Sequence, residues 1–331
     1  MTEVLGQRID EAYAECVRAT REFVMRVTGG TGECVLGLSG GIDSGLVAVI
    51  AAEALGAEKV HCVLLPGPHS TKHSIDDALE LARRQGLSTL TVPIEEPVAA
   101  FERILAQACA PDAPTSTGAS TSTEASAFSA FAPTSTDASA STGASASAFT
   151  PCHLTGITAQ NVQARTRMVC LMALSNAHGW LMLNTGNRSE AFMGYSTLYG
   201  DMAGAFAPIG GLWKTQVFAM ARWLNERAAA EGVQPPIPQH MIDKPPSAEL
   251  AEDQTDEDSL GITYALLDQI LAAHVDGEAS REELCAQGFA LRDVDLVLHR
   301  IAGSAFKRPL LPPHPQCGSR AAHTAEPIQD V

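Results

Sequence analysis

The sequence predicts an α/β fold, a doubly wound parallel sheet followed by a mainly helical C-terminal part. Two observations predict it. Short apolar runs of strand length recur along the chain, and segments with helical spacing of their apolar residues separate the runs. Strands separated by helices form βαβ units, which place the strands parallel in one sheet. With 331 residues, the chain is long enough to bury a sizeable core around such a sheet.

The predicted elements follow one another regularly up to residue 109 and again from residue 159. Glycines mark several of the predicted ends, as at Gly56 and Gly86, where two helices stop. The elements are, in order, a helix over 9–27, a strand over 34–38, a helix over 45–55, a strand over 60–65, a helix over 74–85, a strand over 90–92, a helix over 97–109, a helix over 159–178, a strand over 181–183 and a helix over 214–230.

Residues 111–150 differ in composition from the rest of the chain. Of these 40 residues, 29 are Ser, Thr or Ala, and the segment contains an internal repeat. Such a segment has too little apolar surface to offset the entropy lost on ordering. It predicts a disordered insertion from local duplication, with a regulatory lid as the alternative. We therefore expect residues 1–110 and 151–310 to form one domain and residues 311–331 to be a flexible tail.

Charge and hydropathy exclude several function classes. The chain has 38 acidic and 22 basic residues and a formal net charge of -16, which argues against a nucleic-acid partner. No apolar run reaches the ~18 residues of a membrane span, and no basic start precedes an apolar region. We therefore expect no membrane partner, no secretory signal and a cytoplasmic location. The 8 cysteines form no C-x-x-C pair and predict small buried residues.

The sharpest motif is S-G-G-I-D-S at Ser39–Ser44, directly after the predicted strand over 34–38. Its glycines let the backbone approach a ligand closely, and its N–H groups, with those that open the next helix, would form an anion site. Asp43 adds a carboxylate, which is unsuited to bare phosphate but suits a phosphate-bound Mg²⁺. An ordinary glycine-rich turn is the alternative. The motif matches neither the Walker A loop nor the Rossmann fingerprint.

An ordered set of further motifs accompanies this loop. They are P-G-P at 66–68, D-D-A at 76–78, N-V-Q-A-R-T-R-M at 161–168, N-T-G-N-R-S-E at 184–190, G-Y-S-T-L-Y-G-D-M at 194–202, K-T-Q-V at 214–217 and D-E-D-S-L-G at 256–261. The loop resembles the pyrophosphate-binding loop of the N-type ATP pyrophosphatases, and the whole set resembles the NAD+ synthetases. The resemblance covers the chain outside 111–150 and outside the tail beyond 309.

The resemblance implies an adenine nucleotide alpha hydrolase-like fold and a ligase that forms a C–N bond. In the implied reaction, the nicotinate carboxylate of deamido-NAD attacks the α-phosphorus of ATP and forms an adenylate. Ammonia then displaces AMP and gives NAD. No protein nucleophile is needed, so positioning and electrostatics would dominate. The resemblance also implies a homodimer, for which residues 9–27 and 159–178 offer apolar stripes.

The resemblance further implies roles for individual residues. Asp43 and Lys214 would be catalytic, and Asp43 and Glu190 would bind Mg²⁺, the expected cofactor. The residues that would bind ATP, the co-substrate, are Gly37, Leu38, Ser39, Gly40, Gly41, Ile42, Asp43, Ser44, Thr185, Lys214 and Ser247. The residues that would contact deamido-NAD are Arg165, Leu198, Ala205, Phe306 and Lys307.

Three of these positions depart from the ammonia-dependent pattern. Those enzymes usually have Lys in place of Leu198, Asp in place of Ala205 and His in place of Phe306. The segment at 197–202 is closer to the synthetase domain of the glutamine-dependent branch. Because the first strand of the sheet begins at residue 34, we expect no glutaminase domain before it and ammonia as the direct nitrogen donor. A separate glutaminase acting in trans stays open as the source of that ammonia.

Two other function classes are alternatives. A tRNA-modifying or other adenylating enzyme of the same superfamily would carry a basic patch or C-x-x-C cysteines, and the sequence has neither. A nucleotide-binding module without catalysis would have lost Asp43, Glu190 or Lys214, and the sequence has all three. The sequence therefore favours the synthetase over both alternatives.

Overall fold

The computed structural model describes residues 3–108, 154–252 and 254–317. The predicted insertion over 111–150 lies outside these residues. The chain divides into two compact units, of which one joins residues 1–98 to 155–331 and the other comprises residues 99–154. The sheet and the candidate site belong to the first unit. Of the second unit, the structure describes the helical residues up to Ala108 and, separately, Leu154.

Four parallel strands form the central sheet, which confirms the predicted fold class. The strands of the described chain are β1 (Glu3–Val4), β2 (Gln7–Arg8), β3 (Cys34–Gly37), β4 (Val60–Leu64), β5 (Ser88–Thr91) and β6 (Leu181–Met182). β1 and β2 form a small antiparallel pair, and the parallel sheet has the order β5-β4-β3-β6. The order reverses between β3 and β6, and open α/β sheets bind ligands at the carboxyl ends of strands at such a point.

Helices follow most strands and continue beyond the sheet. They are α1 (Ile9–Val27), α2 (Ile42–Leu55), α3 (Lys72–Gln85), α4 (Glu95–Ala108), α5 (Gly156–His178), α6 (Arg188–Met193), α7 (Lys214–Ala230), α8 (Gln239–Asp243), α9 (Asp256–Leu260), α10 (Tyr264–Leu271), α11 (Arg281–Ala286) and α12 (Leu291–Gly303). No helix among the described residues combines the length and the apolar character that crossing a membrane requires.

The two faces of the sheet pack against different helices. Cys34 and Leu36 of β3 belong to the core that the sheet shares with α1, α2 and α7, whereas Val35 packs with Met168 and Leu171 of α5. Successive residues of a strand point to opposite faces, so this division follows from the strand geometry. A sheet covered on both faces has strands that are apolar throughout, which is the pattern that the sequence shows at residues 34–38.

The C-terminal helices form a separate core, which confirms the predicted helical C-terminal part. Leu267, Ile270 and Leu271 of α10 are inaccessible to solvent and pack in one cluster with Met193 and Trp213. Met193 ends α6 and Trp213 immediately precedes α7. This core therefore brings α10 to the two helices that carry Glu190 and Lys214.

Several elements differ in their bounds from the sequence predictions, and three differences change an expectation stated above. Helix α2 begins at Ile42 instead of residue 45, so Asp43 lies in its first turn. The first part of the predicted flexible tail, residues 311–317, is packed instead, since the Ala207 N–H donates to the Pro313 carbonyl at 3.0 Å and Cys317 is buried. The apolar stripe of α1 packs against α2 and α7 within the chain, so it is not available to a second copy.

Candidate active site

The S-G-G-I-D-S motif forms the tight turn after β3 and the first residues of α2. The Ser39 and Ser44 hydroxyl oxygens lie 3.0 Å apart, and the Ser44 hydroxyl donates to the Gly41 carbonyl at 3.1 Å. Gly40 has a φ of +81°, and a Cβ built on it would lie 2.0 Å from the Ser74 carbonyl oxygen of α3. Only glycine fits there. The turn therefore presents backbone N–H groups at the start of α2, where anions bind readily.

Lys214 joins the two predicted metal ligands. Its ammonium group lies 2.5 Å from Asp43 Oδ2 and 3.4 Å from Glu190 Oε1, and its side chain is only 2% exposed. Asp43 is at the start of α2, Glu190 is in α6 and Lys214 begins α7. The structure thus brings together, at the switch point of the sheet, three residues that are far apart in the sequence.

Asn187 orients both carboxylates. Its side-chain oxygen accepts from the Glu190 N–H at 3.0 Å, and Glu190 Oε2 accepts from the Asn187 N–H at 3.2 Å, which is a capping box at the start of α6. Its side-chain NH₂ group donates to Asp43 Oδ1 at 3.0 Å. Asn187 is not among the site residues predicted from the sequence. The N-x-x-E spacing at 187–190 is the signal that could have identified it.

Two residues of the C-terminal part complete the cluster. Asp256 is 4% exposed, its Oδ1 has no hydrogen-bond partner among the described residues, and its Oδ2 accepts from the Tyr264 hydroxyl at 3.2 Å. The Lys214 ammonium lies 5.2 Å from the centre of the Tyr264 ring. Asp256 belongs to the D-E-D-S-L-G motif at 256–261, for which the sequence predicts no role at the metal, and Tyr264 is not among the predicted site residues.

Burial and charge act in opposite directions on these groups. Burial alone would lower the pKa of Lys214, but the carboxylates of Asp43, Glu190 and Asp256 outweigh it and raise that pKa. Burial raises the pKa of Glu190, and the neighbouring carboxylates add to this effect while Lys214 opposes it. Burial also raises the pKa of Asp256. The lysine is therefore held in its charged form, and its single positive charge does not balance the charges of the three neighbouring carboxylates.

This donor set suits a divalent cation bound together with a phosphate. Three carboxylates surround one ammonium group, and Asp256 keeps a buried oxygen without a partner. Among the described residues, no group of three or more His, Cys, Asp or Glu side chains could hold a metal ion by itself. Mg²⁺ is usually bound by one or two carboxylates, with substrate phosphates and water as its other ligands. Asp43 and Glu190 fit that arrangement.

Thr185 and Ser247, two further residues predicted to bind ATP, lie in loops of the same unit as this cluster. Thr185 is half-buried and follows Asn184, whose side chain closes the turn after β6 by accepting from the Gly186 N–H at 2.8 Å. The Ser247 hydroxyl accepts from the Glu249 N–H at 3.1 Å. The Glu249 carboxylate in turn accepts from the Ser74 hydroxyl. Ser74 packs on Gly40, so the loop of Ser247 lies beside the turn that contains Gly40.

The predicted deamido-NAD residues gather around the loop after α6. Arg165 Nε donates to the Leu198 carbonyl at 3.1 Å. The Lys307 ammonium donates to the Gly194 carbonyl at 2.8 Å and the Ser196 carbonyl at 2.6 Å. Burial lowers the pKa of Lys307. Lys307 thus holds the loop that begins at Gly194 in addition to any contact with a substrate.

Ala205 and Phe306, the two remaining deamido-NAD predictions, differ in their setting. The Ala205 N–H donates to the Met182 carbonyl at 2.8 Å, which places Ala205 beside the end of β6. Phe306 is 43% exposed. These contacts place Ala205 at the carboxyl end of the sheet and leave much of the Phe306 ring at the surface.

Comparison with known proteins gives one consistent result. The family model "NAD synthase" matches residues 15–124 and 129–311. A glutamine-dependent NAD(+) synthetase of Rhodobacter capsulatus is 41% identical over 319 residues, which cover 95% of this chain and 49% of that protein. The chain thus spans about half the length of the curated relatives it matches.

Solved structures agree with this result. A glutamine-dependent NAD+ synthetase from Acinetobacter baumannii, in complex with ADP, matches with a TM-score of 0.56 and 30% identity, over 98% of this chain and 50% of that one. An NMN synthetase from Francisella tularensis matches with a TM-score of 0.64 and 24% identity, over 91% of this chain and 96% of that one. The second likeness supports the fold alone.

Proposed function

We infer the reaction from one premise, which is that this chain belongs to the NAD synthase family. We propose that it amidates deamido-NAD with ammonia at the expense of ATP, through an adenylate, and releases NAD, AMP and pyrophosphate. The observation that carries this proposal is the contact of Lys214 with Asp43 and Glu190 beside the phosphate-binding turn. That arrangement combines a cation, metal-binding carboxylates and backbone donors at the place where a triphosphate would bind.

The geometry suits an attack on the α-phosphorus. A carboxylate oxygen of the nicotinate ring forms the new P–O bond while the bond to pyrophosphate breaks. The N–H groups of the Ser39–Ser44 turn and the Lys214 ammonium are positioned to stabilise negative charge on the leaving pyrophosphate. Mg²⁺, when bound through Asp43 and Glu190, supplies further charge neutralisation at the phosphates.

The second half of the reaction needs less from the protein. The adenylate converts the carboxylate into an activated carbonyl, because AMP is a far better leaving group than oxide. Neutral ammonia forms the C–N bond, the C–O bond to AMP breaks, and the nitrogen loses a proton to give the amide. The residues around Leu198 and Lys307 are the groups we propose to hold the dinucleotide while this occurs.

The assay that tests the proposal uses purified protein, ATP, Mg²⁺, deamido-NAD and ammonium. We expect NAD and AMP to appear in equal amounts, with no NAD when any one component is omitted. Nicotinate mononucleotide replaces deamido-NAD in a control for substrate length, and we expect it to be used poorly. AMP formation without NAD, or NAD formation without ATP, would contradict the proposal.

The nitrogen donor is a separate part of the proposal. We propose that this chain takes ammonia directly in the cytoplasm, and that a separate glutaminase supplies it if glutamine is the ultimate source. A glutaminase nucleophile needs an activated thiol with a lowered pKa. Burial instead raises the pKa of Cys34 and raises that of Cys62 to about 12. Turnover with ammonia-free glutamine as fast as with ammonium would refute the need for a separate glutaminase, because it would reveal a glutaminase site within this chain.

We also propose a homodimer formed through α5. Val169 is 65% exposed and Met172 is 38% exposed on this helix, and Arg165 lies one turn before Val169 on the exposed side. A second copy packed there would cover the apolar face and lie beside a predicted dinucleotide contact. We expect light scattering to show a dimer for the wild type and a monomer with weakened deamido-NAD binding for Val169→Glu. An active wild-type monomer would refute this part.

A further inference from the structure

Two acidic residues of the C-terminal part tie together the starts of α6 and α7. Asp268 lies in α10, and Asp276 ends the π-helical segment Ala272–Asp276 that continues it. The reaction proposed above uses neither residue. Their contacts are nevertheless made to the immediate neighbours of Glu190 and Lys214.

Asp268 makes the first tie. Its side chain is inaccessible to solvent, and its two oxygens accept from the Ser189 hydroxyl at 2.6 Å and from the Thr215 N–H at 2.7 Å. The Ser189 hydroxyl oxygen also accepts from the Lys214 N–H at 2.8 Å. One carboxylate and one hydroxyl therefore fix the residue beside Glu190 to the backbone of Lys214.

Asp276 makes the second tie, which joins Arg188 of α6 to Trp213, the residue immediately before α7. It accepts from Arg188 Nη1 at 3.1 Å and Nη2 at 2.7 Å, and from Trp213 Nε1 at 3.2 Å. The Arg188 guanidinium carbon also lies 4.1 Å from the centre of the Trp213 ring. The bidentate geometry fixes the orientation of the arginine as well as its distance.

The two ties act on one distance. Glu190 follows Arg188 and Ser189 in α6, and Lys214 stands between Trp213 and Thr215 at the start of α7. Because both helix starts are fastened to α10 and its extension, the gap between the Glu190 carboxylate and the Lys214 ammonium is set from outside the sheet. A displacement of about 1 Å in such a gap can cost on the order of 100-fold in rate.

We propose that Asp268 and Asp276 are positioning residues, which hold Glu190 and Lys214 at the separation that cleavage of ATP requires. The proposal rests on the function proposed above. A purely structural role is the competing explanation, because the loss of a buried carboxylate that accepts hydrogen bonds destabilises a fold in any case.

A double-mutant cycle with Lys214 separates the two explanations. Ser189→Ala is the mildest variant, since it removes one hydroxyl, and Asp276→Asn weakens the pair with Arg188. Each is combined with Lys214→Met, and kcat and melting temperature are measured for all. Asp295→Asn is the matched control, because Asp295 makes a bidentate but exposed pair with Arg281 in the same part of the chain.

We expect Ser189→Ala and Asp276→Asn each to lower kcat by about 10-fold with Lys214 present, and by less than about 2-fold in the Lys214→Met background. The melting temperature should fall equally in both backgrounds, and Asp295→Asn should leave kcat unchanged. Equal losses of kcat in both backgrounds, or a similar loss for the control, would overturn the proposal.

The failure of the proposed function would be visible separately. If the wild type formed no NAD with ammonium, the cycle would be measured on the MgATP dissociation constant, which does not depend on the second substrate. The same loss of effect in the Lys214→Met background is expected there. Additive changes in the dissociation constant would overturn the positioning role whatever reaction the site performs.

Discussion

The carboxyl end of the sheet and the C-terminal helical part contribute to the candidate site in different ways. The sheet end supplies Asp43, Glu190 and the glycine-containing turn, the groups that would touch ATP and its metal ion. The helical part supplies mainly groups that contact the sequence neighbours of Glu190 and Lys214, as Asp268 does at Ser189 and Asp276 does at Arg188. Chemistry therefore lies in short motifs at strand ends, whereas positioning comes from single residues spread over helices.

The largest effects should come from Lys214 and from the two carboxylates that it contacts, Asp43 and Glu190. We expect Lys214→Met to lower the rate of NAD formation by about 1,000-fold, because a buried cation aimed at the leaving pyrophosphate is lost. The melting temperature should also fall, since Asp43 and Glu190 would lose their partner. Lys72→Met is the control, because Lys72 is exposed and pairs with the exposed Asp76. An active Lys214 variant would remove this residue from the chemistry.

Asp43→Ala and Glu190→Ala should abolish amidation while the fold stays intact. Each removes one of the two carboxylates that we propose for Mg²⁺, and the two sit on different helices at the switch point. Electron paramagnetic resonance would measure the loss of Mn²⁺ binding, and the NAD assay would measure the loss of amidation. Full activity in either variant would show that its carboxylate does not bind the metal.

Gly40→Ala should show whether Gly40 is needed for its close contact with Ser74 or only for its positive φ. Gly40 and Gly86 both have a positive φ, but a Cβ on Gly86 would meet nothing within 4 Å, whereas one on Gly40 would meet Ser74. We expect Gly40→Ala to weaken MgATP binding by about 10- to 100-fold, the equivalent of about 1–3 kcal/mol of strain. Gly86→Ala should destabilise the protein slightly and leave MgATP binding unchanged. Equal effects on binding would contradict this reading of the turn.

The smallest effect is expected from residues 113–149. Their repeat and low complexity predict that deletion leaves kcat and melting temperature nearly unchanged. The deletion variant is compared with the wild type in the NAD assay and by calorimetry. A large loss of kcat at unchanged stability would instead support the regulatory lid that the sequence left as an alternative.

Much of the fold could be predicted from the sequence, because strands and helices alternate with clear periodicity and glycines mark several ends. The start of α2 could not be placed correctly. Ile42, Asp43 and Ser44 are weak helix formers, yet they form its first turn, because Gly41 accepts the Gly45 N–H and the Ser44 hydroxyl. Tertiary contacts also explain the packed segment at 311–317, which carries no periodic signal of its own.

The candidate site was predictable where its residues belong to a contiguous motif. Asp43, Glu190 and Lys214 each follow a strand end or begin a helix within such a motif. Asp268 is one of many acids in the sequence, and nothing in its local pattern distinguishes it. Its role depends on the packing of α10 beside α6 and α7, which is a tertiary contact that no local sequence pattern records.

One measurement tests the central claim, that this site joins the substrate carboxylate to the α-phosphorus of ATP. Deamido-NAD labelled with ¹⁸O in its nicotinate carboxylate is converted with ATP, Mg²⁺ and ammonium, and the AMP is analysed by mass spectrometry. Formation of the adenylate, followed by attack of ammonia at the carbonyl carbon, leaves one carboxylate oxygen on phosphorus. The account predicts one ¹⁸O atom in each AMP formed. Unlabelled AMP, with the label in pyrophosphate or in water, would contradict it.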